Sequence, residues 1–183
     1  MTDDPNNNPF QNKHADTQGM GKGMIMIAWI IAIAFLTYIF AGVEERQNNP
    51  NPSPSSEKNE SSIEVELKRN RLGHYIANGE IDHKEVVFLL DTGATSVAIP
   101  GSLENYLNLN RGQKHLVNTA NGTAVAYDTK IGSIQIGEIV LYNVKASINP
   151  SMEGEEILLG MSALKQIEFR QKGNRLTLIQ DLR

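Results

Sequence analysis

The chain has 183 residues, with 17 Lys and Arg against 21 Asp and Glu, a formal net charge of −4. That balance leaves no basic excess to grip a phosphate backbone, so nucleic acid is not an expected partner. The absence of cysteine excludes a disulfide framework, a Cys-ligated zinc or iron–sulfur site and thiol catalysis.

Residues 1–23 are polar and rich in Asn, Gln and Gly, which predicts a disordered tail. Residues 24–43 carry no charge and run through Trp29, Phe35, Leu36, Tyr38 and Phe40. A helix of about 20 residues spans the hydrocarbon core of a bilayer. A buried core helix would show a polar face over five turns, and this stretch shows none. A cleavable signal would have a shorter apolar run and small residues before the cut, where Phe40 stands instead. A retained transmembrane anchor is therefore expected. Lys13 and Lys22 before the span nearly balance Arg46 and Lys58 after it. Lys22 lies tight against the span and two Glu follow it, so the N-terminus is expected inside and the domain outside. Residues 44–61 hold Pro50, Pro52 and Pro54 among Asn and Ser, the composition of an extended, solvated linker.

Residues 62–183 read as an all-β domain. Val86 to Leu90 and Val97 to Pro100 are predicted strands, the second stopped by proline. His115 to Val117 and Thr123 to Tyr127 flank Asn121-Gly122, a strong hairpin signal. Ile131 to Ile139, Val140 to Ile148, Ile157 to Leu159 and Leu176 to Ile179 are further predicted strands. A second hairpin turn falls at Asn78-Gly79 or at Asp82-His83-Lys84. Short helices are expected near 101–109 and 162–166, capped by Ser102 and Ser162.

The stretch that carries chemistry is Phe88-Leu89-Leu90-Asp91-Thr92-Gly93-Ala94. A carboxylate ends an apolar strand and enters a small, flexible turn. Buried charge must be hydrogen-bonded, and Gly93 lets backbone approach closely. Taken alone, the tripeptide reads more simply as a strand exit with Asp capping the turn. Context shifts the balance, because Ile157-Leu158-Leu159-Gly160 follows about 65 residues later with a hairpin between. This combination resembles the retropepsin-like aspartic proteases, over residues 72–180. It is most similar to their bacterial members with one N-terminal span and one such domain.

The resemblance implies a closed β-barrel of the acid-protease fold with one short C-terminal helix. It implies Asp91 as the catalytic residue. Thr92, Gly93, Ala94, Leu158, Leu159 and Gly160 would support the catalytic loop. Thr119, Ala120, Asn121, Gly122 and Thr123 would form the substrate flap. Two carboxyls about 3 Å apart share one proton, so one activates water while the other polarises the carbonyl. The chain has one Asp-Thr-Gly, and Asp82, Asp128 and Asp181 lack that setting. The second carboxylate is expected from Asp91 of another copy in a homodimer. The expected function is a membrane-anchored endopeptidase acting on polypeptides, without metal or cofactor. The expected location is the bacterial inner membrane, with the domain in the periplasm. A catalytically silent dimerisation or peptide-binding module on the same fold is the alternative, and a plain tethered scaffold is a third reading.

Other motifs carry less. Gly160-Met161-Ser162-Ala163-Leu164 misses the nucleophile elbow at its last residue. His14, His74, His83 and His115 show no metal-ligand spacing and are expected to face solvent.

Overall fold

The computed structural model describes residues 17–119 and 122–182. The chain divides into two compact units, residues 1–44 and 45–183. The first is dominated by one long helix, α1 (Thr17–Asn48), which runs past the unit boundary. Its residues 23–40 form an 18-residue window of mean hydropathy 2.3 with no part buried. Met24 through Phe40 show their large apolar side chains to the surroundings, with Tyr38 at 80% exposure. Thr37, within this window, donates its hydroxyl back to the Ile33 carbonyl at 2.8 Å and so satisfies itself. The helix begins inside the tail expected to be disordered, since residues 17–23 are helical. Once a turn exists, each added residue gains one hydrogen bond, so the apolar span propagates outward. The rest of that tail lies outside the described residues.

The second unit is built almost entirely of strands. They are β1 (Ser55–Lys58), β2 (Ser62–Lys68), β3 (Tyr75–Ile81), β4 (Lys84–Leu90), β5 (Val97–Pro100), β6 (Lys114–Thr119), β7 (Gly122–Ile136), β8 (Ile139–Asn149), β9 (Glu156–Leu159), β10 (Glu168–Lys172) and β11 (Arg175–Asp181). A 3₁₀ turn (Gly101–Leu103) runs into α2 (Glu104–Leu107), and α3 (Met161–Leu164) follows β9. Seven strands form one sheet in the order β3-β4-β9-β5-β8-β7-β6. A short β3–β7 pairing, Glu80 with Gln135 and Ile81 with Ile134, brings the first strand back onto β7. The sheet thus curls on itself in a barrel-like form, with β6 hanging off β7. The remaining four strands form an antiparallel sheet in the order β1-β2-β11-β10. Phe88, Ile99, Ile131, Ile134, Ile157 and Leu159 are fully buried within one continuous core that also takes Val65, Leu67 and Leu178 from the smaller sheet.

The structure chooses between the two expected hairpin turns and corrects the expected helix caps. The β3–β4 turn is Asp82-His83, with φ of 47° and 65°, while Asn78 and Gly79 lie within β3. Two successive positive φ values are what a tight hairpin with right-handed twist requires. Asp82 tolerates its φ because its carboxylate accepts the Ser133 N–H at 2.7 Å. Neither expected serine caps a helix: Pro100 and Gly160 stand at those positions, without side-chain capping bonds.

The stretch 44–61 is also more structured than a solvated linker. Asn51 is buried at 5% exposure, and β1 pairs with β2 from Ser55–Glu66 to Lys58–Ile63. The Asn51 amide donates to the carbonyls of Lys68 (2.9 Å) and Ile76 (2.6 Å), and its oxygen accepts the Lys68 N–H (2.7 Å). A polar composition pointed to solvent, but one asparagine amide supplies the donors and acceptor that join β2 to β3. Asn51→Ala should therefore lower the unfolding free energy by about 2 kcal/mol, since it strands a buried carbonyl. A urea midpoint unchanged from the parent chain would contradict this role.

Candidate active site

The residue order around β9 creates the site. β4 and β9 run parallel, with Leu89 opposite Leu158 and Leu90 opposite Leu159. β5 meets β9 antiparallel at Ala98–Leu158. The chain therefore leaves β4, crosses the end of β9 and returns as β5. Residues 91–96 form this crossing, and Gly160 lies beneath it. The Asp91 N–H donates to the Leu159 carbonyl at 3.2 Å. The N–H groups of Met161 and Ser162 donate to the carbonyls of Ala94 (2.8 Å) and Thr95 (3.0 Å). A Cβ on Gly160 would sit 2.3 Å from the Ser96 carbonyl oxygen and 2.7 Å from that of Ala94. Only glycine allows this closeness.

Asp91 is half-buried, and its carboxylate accepts the Gly93 N–H at 2.8 Å. The Ala94 N–H closes the turn onto the Asp91 carbonyl at 3.2 Å. The structure thus brings Asp91, Gly93, Ala94, Leu158, Leu159 and Gly160 together. Thr92 is exposed, and its hydroxyl has no hydrogen-bond partner among the described residues. The hold on the carboxylate within this chain comes from Gly93, not from Thr92.

One residue that the sequence reading treated as a cap has a different role. The Ser162 hydroxyl accepts the Val97 N–H at 3.0 Å and donates to the Lys145 carbonyl at 2.7 Å. It ties the exit of the Asp91 loop to β8. A serine after Leu-Gly-Met carries no local signal of this, because both partners are distant in sequence. Ser162→Ala should cost about 1–2 kcal/mol through two lost partners. In a peptide-cleavage assay, the loosened loop should lower kcat about tenfold or more with KM little changed. A variant with parental kcat would remove Ser162 from loop positioning.

The expected flap maps to the β6–β7 hairpin, whose register runs from Lys114–Tyr127 to Thr119–Gly122. Thr119 donates to the Gly122 carbonyl at 2.7 Å, and Thr123 to the Asn118 side chain at 3.3 Å. Ala120 and Asn121 lie outside the described residues. The hairpin is clamped at its base. Arg111 makes a bidentate ion pair with Glu104, at 2.6 Å for the closer pair, and its guanidinium lies 4.7 Å from the Tyr127 ring centre. The hydrogen bond that Arg111 donates to Glu104, and the charge of that carboxylate, hold the Arg111 pKa above the ordinary value against desolvation.

Histidine behaviour follows expectation at His74 and His83, which are exposed. His115 is half-buried on β6, with Nδ1 3.3 Å from an Asp128 oxygen but off the line of a hydrogen bond. No cluster of metal-ligating side chains occurs among the described residues.

Residues 77–166 match a family model described as "gag-polyprotein putative aspartyl protease". The crystal structure of a retropepsin-like aspartic protease from Rickettsia conorii is 26% identical, with a TM-score of 0.56. That similarity covers 69% of this chain and 95% of that one. An EIAV protease in an inhibitor complex is 18% identical with a TM-score of 0.41, over 51% of this chain and 88% of that one. An uncharacterized protein in the cobV 5′ region of a Sinorhizobium species is 32% identical over 111 residues, 59% of this chain. The chain spans about half the length of that relative, 48% of it. The β unit of this chain thus has the retropepsin-like fold, and its residues 77–166 carry the sequence pattern of the aspartyl protease family model.

Proposed function

We propose that the chain is a membrane-anchored aspartic endopeptidase that works as a homodimer, with Asp91 from each copy forming one catalytic pair. The observation that carries this reading is the Asp91 loop. A half-buried carboxylate is held by the Gly93 N–H on a turn locked to the end of β9 and to α3. Such a carboxylate is preorganised for proton transfer. The other aspartates of the domain have different work. Asp82 closes the β3–β4 turn and Asp128 faces His115. Asp181 ends β11, opposite Ser62. One chain thus supplies one suitable carboxyl, and a two-fold axis supplies its equal.

In the paired site, one proton is shared between the two carboxyls. The ionised one takes a proton from water as it attacks the scissile carbonyl. The protonated one donates to the carbonyl oxygen as charge builds there. The hairpin 114–127 covers the bound peptide, and Thr119, Ala120, Asn121, Gly122 and Thr123 meet it at the tip. α1 anchors each copy in the bacterial inner membrane, with the β unit on the periplasmic side. An 18-residue apolar window with all its side chains exposed supports this anchoring.

The test is the full-length chain in detergent micelles, incubated with an unbiased peptide library. Cleavage that pepstatin suppresses is expected. A library left intact at high enzyme concentration would overturn the endopeptidase reading.

A further inference from the structure

The outer face of the small sheet is sorted by charge from one end to the other. Ile63, Val65 and Leu67 of β2 and Leu176 and Leu178 of β11 are buried in the core, so the residues between them share the opposite face. Strand register sets that face in rows. At one end Lys172 pairs with Arg175, and Arg175 with Lys68. At the other, Glu168 pairs with Ile179, Ile179 with Glu64, and Glu64 with Glu57. One end is cationic and the other acidic.

The β2–β3 turn adds to the cationic end with Arg69 and Arg71. The Arg69 N–H donates to the Asn174 carbonyl at 2.8 Å, so this turn and the β10–β11 turn stand side by side. Arg175 is ion-paired with Glu66. Lys68, Arg69, Arg71 and Lys172 are exposed and have no salt bridge among the described residues. Like charges directly opposite repel, so this end holds charge that an anion would relieve. Leu72 stands beside these cations, 73% exposed. Its turn is closed tightly: the Asn70 N–H donates to the His74 carbonyl, and the Asn70 side chain accepts the His74 N–H, both at 2.8 Å. The same asparagine receives the chain as it leaves α1. Its amide donates at 3.0 Å to the carbonyl of Asn48, the last residue of α1. The apolar window ends at Phe40. The helical stretch from there to Asn48 rises about 12 Å. Headgroups fill about 5–8 Å of that distance. The turn is thus held within the Debye length of about 8 Å from them. Glu44, Glu45 and Arg46 in the intervening stretch sum to one negative charge, so any attraction to an acidic surface falls to the sheet end.

We propose that this cationic end of the small sheet, with Leu72 at its tip, rests on acidic phospholipid headgroups of the membrane that holds α1. This rests on the anchoring part of the reading above and is independent of its catalytic part. Lys68, Arg69, Arg71 and Lys172 meet phosphate oxygens, and Leu72 enters the interface among them. Basic groups around an apolar one are what binding to an acidic interface uses. The acidic row, about 13 Å along the strands, stands off the surface. Docking at one end holds the β unit in one attitude on its tether.

The chain has no cysteine, so a single introduced thiol can be labelled without background. Leu72→Cys at the cationic end and Glu57→Cys at the acidic end are each labelled with a polarity-sensitive fluorophore. The full-length chain is placed in vesicles of phosphatidylcholine, alone or mixed with phosphatidylglycerol. The label at 72 should shift to the blue in the acidic vesicles and return as salt is raised. The label at 57 should not respond. Each cation at an acidic surface contributes about fivefold. Lys68→Gln, Arg71→Gln and Lys172→Gln, combined with the label at 72, should therefore lower the docked-to-free ratio about a hundredfold. All three side chains are exposed, so the fold should tolerate their loss. An unchanged ratio overturns the proposal, and so does an equal response at 57 and 72. A label at 72 that responds to polyglutamate in neutral vesicles, but not to acidic lipid, assigns the surface to an acidic peptide and overturns it too. Extraction with alkaline carbonate separates this surface from the anchor. Chain retained in the vesicles with no response at 72 sinks the surface and keeps the anchor. Chain released by carbonate, yet responding at 72 in acidic vesicles, sinks the anchor and keeps the surface.

Discussion

Asp91→Asn should abolish peptide cleavage while leaving the fold intact. Removing a positioned acid or base costs on the order of 10²–10⁴ in rate, and in the proposed homodimer one substitution removes both carboxyls of a symmetric pair. The structural effect is small by contrast. Asparagine keeps an oxygen to accept the Gly93 N–H, now at 2.8 Å, and the volume is nearly unchanged. The thermal midpoint should hold or rise slightly, because two carboxyls would no longer face each other across the axis of the proposed dimer. A mixing experiment sharpens the claim. At fixed wild-type concentration, an equal amount of Asp91→Asn should roughly halve activity by drawing wild-type copies into mixed dimers. If each chain cleaved alone, added variant would change nothing. Full activity in Asp91→Asn would end the aspartic mechanism for this chain.

The legible parts of this site were those with local chemical grammar. An apolar strand ending in Asp-Thr-Gly-Ala reads as a carboxylate on a tight turn, because the residue types themselves dictate strand, acid and turn. Asn121-Gly122 placed the hairpin for the same reason, and β6 and β7 flank it as expected. β2 was not singled out, although Ile63, Val65 and Leu67 alternate and are buried. Charged residues between them masked a half-buried strand. β10 went unseen because it has no buried face at all, and its pairing with β11 is what makes it a strand. Asn51 and Ser162 were misread for one shared reason. Each side chain bridges backbone groups far away in sequence, 17 and 25 residues for Asn51 and 17 and 65 for Ser162. No local pattern encodes such a bridge. Gly160 lay between these cases. Its place after two leucines drew notice only through resemblance, and the reason for glycine emerged with the loop lying on it.

Gly160→Ala should be among the most damaging single-methyl changes in the β unit, and the reason can be isolated. The backbone at Gly160 has φ −87° and ψ −175°, an extended conformation that alanine adopts freely. By conformational entropy alone, alanine there would stabilise the chain by about 0.4–1 kcal/mol. Contact decides the opposite sign. The added methyl would stand 2.3 Å from the Ser96 oxygen and 2.7 Å from the Ala94 oxygen, and both are backbone atoms. No rotamer change relieves either clash, so the loop 91–96 must lift away from β9. Doing so strains the bonds from Met161 and Ser162 to the Ala94 and Thr95 carbonyls. A cost of about 2–4 kcal/mol is expected, within the range of an overpacked site that cannot relax. A displaced carboxylate should also lower kcat by about a hundredfold, as a shift near 1 Å can do. Gly154→Ala is the matching control. Its Cβ would meet nothing within 4 Å, but its φ is +88°. It should lose only about 1–2 kcal/mol from the left-handed backbone and keep parental kcat. If Gly160→Ala cleaved peptide as well as Gly154→Ala, the loop would not be seated on Gly160 as described.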